Sequence, residues 1–134
     1  MSVQPVHQEP GSYSCLGCVA AMIVGDPDLK RVMEHAGHDG SERPFRMVEI
    51  IGFLALNNVL LGAYAQMPEV YGGSVIVSWP RHYQSLLIVR SKSGHGTHAV
   101  LWTGSEIVDP EPANRGRRLK DYVVLEWWPV IFVE

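Results

Sequence analysis

The sequence predicts an α+β fold, in which a helical first half packs on an antiparallel sheet built from the second half. Three observations lead to it. Up to residue 58 the apolar residues recur at helical spacing between start and stop signals, and beyond it they fall into short β-rich runs. Nowhere do strands and helices alternate, as a doubly wound fold would require. At 134 residues, 46% hydrophobic and 19% charged, the chain has enough apolar surface for one buried core, so residues 1–134 are expected to form a single domain.

Residues 15–24 are apolar nearly all round, with Ser14 placed to cap the start and Gly25 to end the run, which reads as a short helix buried on most sides. Asp26-Pro27 then offers a cap and a first-turn proline, and Leu29, Val32, Met33 and Ala36 make one face before Gly37. Pro44 is expected to open a third helix, with Phe45, Val48, Ile51 and Leu54 on its inner face and Asn57-Asn58 as its stop. The β-rich runs that follow are 59–65, 75–79, 86–90, 98–103, 106–108 and 122–133. Gly72-Gly73 reads as a turn before one of them. Trp127 and Trp128 read as packing residues of the last strand.

A net charge of −3 provides no broad basic field, which excludes nucleic acid as the expected partner; the short run Arg115, Arg117, Arg118, Lys120 reads as a solvated loop. The longest apolar stretch, 50–65, is broken by two asparagines and falls short of the roughly 20 residues of a membrane helix. No secretory signal opens the chain, so the default location is cytoplasmic. Two cysteines three residues apart are no disulfide scaffold.

Cys15 falls in the first turn of the buried helix, where unpaired N–H groups and the helix dipole favour an anion such as a thiolate. Position alone leaves it open between that role and a small buried hydrophobe. His98 starts one strand, and the next returns after Gly104-Ser105. A two-residue Gly-X loop there would set Trp102 against Ile107 and Val100 against Asp109, leaving Asp109 diagonal to His98 on the same face. A one-residue slip would separate them. Taken singly, the two are a strand-end histidine and a turn aspartate. Together with Cys15 they supply a nucleophile, a base and a carboxylate to orient the base. His7, His35, His38 and His82 have no partners at telling spacings and read as solvated.

Gln8, Ser14-Cys15, Ala21-Met22-Ile23-Val24-Gly25, Thr97-His98-Ala99-Val100 and Ile107-Val108-Asp109-Pro110 resemble the papain-like cysteine peptidases of the bacteriocin-processing, peptidase C39-like group. The resemblance spans most of the chain. It implies a papain-like fold without cofactor or metal, with Cys15 as nucleophile, His98 as base, Asp109 as orienter and Gln8 as oxyanion donor. It also implies hydrolysis of an amide in a peptide or protein, peptidoglycan peptides included. Gln8 lies seven residues before Cys15 where the family has six, and Leu16 stands where glycine is common. The small stand-alone members that the chain resembles occur in bacteria and their phages, so a phage-encoded copy would be virion-associated.

Other readings stay open. The Ser14-to-Cys18 stretch superficially resembles papain's and would nominate Cys18, but Val19 replaces its tryptophan and Cys18 reads as core. Cys15, Cys18, His95 and His98 could form a zinc-binding structural module, although two residues between the histidines are fewer than the usual three to five. A thioredoxin-like redox motif lacks the preceding strand. A catalytically silent papain-like binding domain would retain the same residues.

Overall fold

The computed structural model describes residues 3–9, 12–62, 65–66, 83–93, 96–114 and 118–134. The expected run at 75–79, Gly72-Gly73, His82, His95, Arg115 and Arg117 lie outside them. Helices α1 (Cys15–Val24), α2 (Lys30–Ala36) and α3 (Met47–Leu56) come first. Strands β1 (Val59–Leu61), β2 (Ala65–Gln66), β3 (Ser85–Arg90), β4 (Thr97–Trp102), β5 (Ile107–Val108) and β6 (Val124–Phe132) follow. The order is the α+β order read from the sequence. The strands form an antiparallel sheet in the order β1-β6-β3-β4-β5, with β2 also pairing with β6. The 59–65 run thus yields two short strands that meet different parts of β6.

Alternation along the strands sorts the core into two faces. Leu86, Ala99, Leu101 and Val130 pack with α1 residues Cys18, Val19, Ala20, Ala21 and Met22 and with Ile50, Phe53 and Leu54 of α3. Leu87, Val89, Val100, Trp102, Ile107, Tyr122, Val124 and Trp127 form a second cluster. The register slips between Ile88 and Val89, a bulge that allows Val124 and Trp127, three positions apart, to join the same cluster. Trp127 is fully buried and donates its indole N–H to Ser85 Oγ at 2.9 Å.

Several local expectations need correction. Ser14 occupies the N-cap position of α1 but makes no side-chain cap; its hydroxyl bonds Ser12 Oγ at 2.9 Å instead. Gly25 does end the helix, at φ 81°, with Asp26 N–H donating to Ala21 O and Gly25 N–H to Met22 O, the paired bonds of a Schellman stop. Asp26 pairs with Arg31 and does not cap α2, whose first N–H is met by Asp28 Oδ1 at 2.9 Å. Pro44 does not open α3. Arg46 does, with Glu49 reaching back to its N–H at 2.8 Å, while Phe45 stays outside the helix as a buried plug. That start rotates the inner face to Ile50, Phe53 and Leu54, and leaves Val48 and Ile51 at 67% and 40% exposure. Gly17 is the matching feature on α1: a Cβ there would come within 2.5 Å of the Phe45 ring. Among the described residues, no helix is long and apolar enough to cross a membrane.

Candidate active site

The N-terminus of α1 and the start of β4 border a cleft of about 590 Å³. One wall carries Tyr13, Cys15, Leu16, Pro44 and Phe45; the other carries Ser91, Lys92, Thr97, His98, Glu111 and Asn114, with Gln8 between them. The structure therefore brings Gln8, Cys15 and His98 into one cleft, with Asp109 behind.

The β4–β5 hairpin sets the histidine. Thr103 N–H donates to Glu106 O across a two-residue loop, and Gly104 takes φ 104°, a conformation that glycine adopts without strain. Trp102 then pairs with Ile107 and Leu101 with Val108, the register anticipated from Gly104-Ser105. Asp109 follows directly, and His98 Nε2 meets its Oδ1 at 2.6 Å. Cys15 lines the same cleft and favours the protonated imidazole. With Nε2 taken by Asp109, Nδ1 is the ring nitrogen left for the thiol.

The electrostatics follow from these contacts. Burial alone would lower the His98 pKa, but the hydrogen bond with Asp109 and the proximity of the Asp109 carboxylate and the Cys15 thiol outweigh it and push it up to about 9. Burial likewise works to raise the Asp109 pKa, yet hydrogen bonds from His98 and Tyr122 hold it below the usual carboxylate range. The pair is thus an imidazolium beside a carboxylate at neutral pH. Cys18, one turn beyond Cys15, is fully buried in the core, and burial pushes its thiol up to about 12. An unreactive thiol results.

Asp109 is held by residues that the sequence reading did not single out. Its Oδ1 also accepts from Glu111 N–H at 2.9 Å, while Oδ2 accepts from Asn114 Nδ2 at 3.0 Å and from Tyr122 Oη at 2.7 Å. The Asp-Pro turn was a visible signal for the first of these. Nothing local signals Tyr122, which lies across the sheet.

Gln8 is buried, and its backbone N–H donates to Pro110 O at 2.9 Å, tying the N-terminal segment to the Asp109-Pro110 turn. One amide hydrogen on Nε2 goes to Ser12 O at 3.0 Å, and the amide carries a second. His38 departs from the solvated reading. Its Nε2 lies 3.2 Å from Glu49 Oε1 and its Nδ1 accepts Gly40 N–H, which ties the 37–43 loop to α3. His7 Nδ1 lies 3.4 Å from Pro110 O, and the His35 ring meets Phe53 edge-on. Of the four proposed zinc ligands His95 is outside the described residues. Among the described residues, no group of three or more His, Cys, Asp or Glu side chains could hold a metal ion.

No family model matches the chain, and no curated protein matches it. Among solved structures, the chain is similar to a double glycine motif protease from an AMS/PCAT transporter, crystallised in complex with the leader peptide. The TM-score is 0.59 at 15% identity, over 96% of this chain and 91% of the other. At that identity the likeness is one of fold: three helices on an antiparallel sheet, the papain-like α+β arrangement.

Proposed function

We propose that the protein is a cysteine peptidase-like hydrolase, one domain over residues 1–134, that cleaves a peptide amide through Cys15, His98 and Asp109 with Gln8 as oxyanion donor. The observation that carries the reading is the His98 ring, bonded at 2.6 Å to a buried carboxylate and lining the same cleft as the Cys15 thiol at the start of α1. The fold shared with a protease that holds a peptide supports a peptide substrate.

The steps follow from these groups. The Cys15 thiolate attacks the amide carbon, and the electron pair moves onto the carbonyl oxygen, where a Gln8 amide hydrogen and the Cys15 backbone N–H stabilise it. His98 gives its proton to the leaving amine as the C–N bond breaks, producing a thioester and a free amine. Water then attacks the thioester, His98 takes its proton, and the acid and the Cys15 thiolate are released. Asp109 keeps the ring oriented throughout. Trapping with an electrophilic peptide probe, followed by mass mapping, tests the assignment. The expected adduct is on Cys15 and disappears in the His98→Ala variant at neutral pH; an adduct on Cys18, or labelling unaffected by that change, would refute it.

A further inference from the structure

Tyr122 sits just before β6 and is not among the residues lining the cleft, yet its side chain ends on the carboxylate behind His98. It is 6% exposed and belongs to the second core cluster with Val89, Val100 and Trp102. Its hydroxyl donates to Asp109 Oδ2 at 2.7 Å, beside Asn114 Nδ2 at 3.0 Å on the same oxygen. The other oxygen, Oδ1, faces His98 Nε2 and Glu111 N–H. The Lys92 ammonium lies 4.1 Å from the centre of the tyrosine ring and also bonds the Asp121 carbonyl. The ring is therefore fixed by core packing on its body and by a cation on its face.

We infer that Tyr122 is a positioning residue for the reaction: by holding Oδ2, it fixes the plane of the Asp109 carboxylate so that Oδ1 stays aligned with His98 Nε2. This rests on the proposed roles of Cys15, His98 and Asp109 and names a further residue that serves them. The physical reason is rotational. An aspartate turns freely about its last torsion, which is broad and roughly two-fold, and a bond to one oxygen alone does not lock it. The backbone N–H of Glu111 holds Oδ1 from within the turn, whereas Tyr122 holds Oδ2 from a different element, so the two together define the plane. A donor on Oδ2 also withdraws charge from the carboxylate, which acts in the opposite direction on the imidazole. The sign of the effect of removing it separates positioning from simple charge withdrawal.

The test is the rate of Cys15 alkylation by iodoacetamide from pH 5 to 10 in wild type, Tyr122→Phe, Asp109→Asn and the double variant. Phenylalanine keeps the ring and its packing, and unchanged circular dichroism checks that the fold is kept. The inference expects Tyr122→Phe to move the profile to higher pH and to lower the rate at pH 7 by about fivefold, a fraction of what a hydrogen bond to a charged group can supply. It expects no further shift when Tyr122→Phe is added to Asp109→Asn, because the tyrosine acts through that carboxylate. Asn114→Ala, which strips the other donor from Oδ2, should shift the profile in the same direction. An unmoved profile in Tyr122→Phe while Asp109→Asn moves it would overturn the inference alone. So would a shift to lower pH, or an equal shift in both backgrounds. A profile unmoved by Asp109→Asn itself would overturn the underlying triad and the inference with it.

Discussion

Raising the pH from 6 to 10 should cost the wild-type protein stability that a His98→Gln variant does not lose. In the folded chain burial opposes protonation of His98, but Asp109 and Cys15 outweigh it and raise the pKa from 6.5 to about 9. The unfolded chain titrates at its ordinary value of about 6.5. Between those two values the native state holds one proton more than the unfolded state, so stability falls with pH by about 1.4 kcal/mol per unit. The contribution is whole below pH 6.5 and is lost as pH rises through 9; integrated over the window, it is on the order of 3 kcal/mol. The His98 side chain is only 12% exposed, so solvent screens the pair weakly. Glutamine retains a donor for Asp109 but binds no proton. Urea unfolding at half-unit pH steps gives two stability curves, and their difference removes the titration of groups that do not interact with His98. A difference that stays flat from pH 6.5 to 9, or that rises, would refute the claim that the structure holds His98 as an imidazolium.

Two further outcomes follow from the same contacts. Iodoacetamide at pH 8 should alkylate Cys15 at least 100-fold faster than Cys18, because a thiol with its pKa pushed up to about 12 is almost wholly protonated there and Cys18 is fully buried; peptide mapping by mass reads the ratio, and comparable rates would contradict it. Gly17→Ala should destabilise by about 1 to 3 kcal/mol in urea unfolding, because the new methyl would meet the Phe45 ring at 2.5 Å and both elements are packed; an unchanged midpoint would mean that the ring moves aside without cost.

The sequence by itself determined what local chemistry dictates. Helices first and strands afterwards is a matter of period, and the Gly25 and Gly37 stops are a matter of backbone freedom, so both were legible. The juxtaposition of His98 and Asp109 was legible for the same reason: Gly104-Ser105 fixes a two-residue loop, the loop fixes the register, and the register puts the two residues on one face. The inner face of α3 was misread, because apolar spacing admits more than one stripe. The start at Arg46, set by Glu49 and by Phe45 lodged against Gly17, chose Ile50, Phe53 and Leu54 over Val48 and Ile51. Only the tertiary structure decided that Ser14 bonds Ser12 rather than capping α1, that His38 holds a loop, and that Tyr122 and Asn114 close around Asp109. A hydroxyl or an amide in a sequence is equally suited to water, to the backbone and to a distant carboxylate. Which partner it takes is settled by the packing that buries it, because only in the buried state does an unmatched polar group become costly.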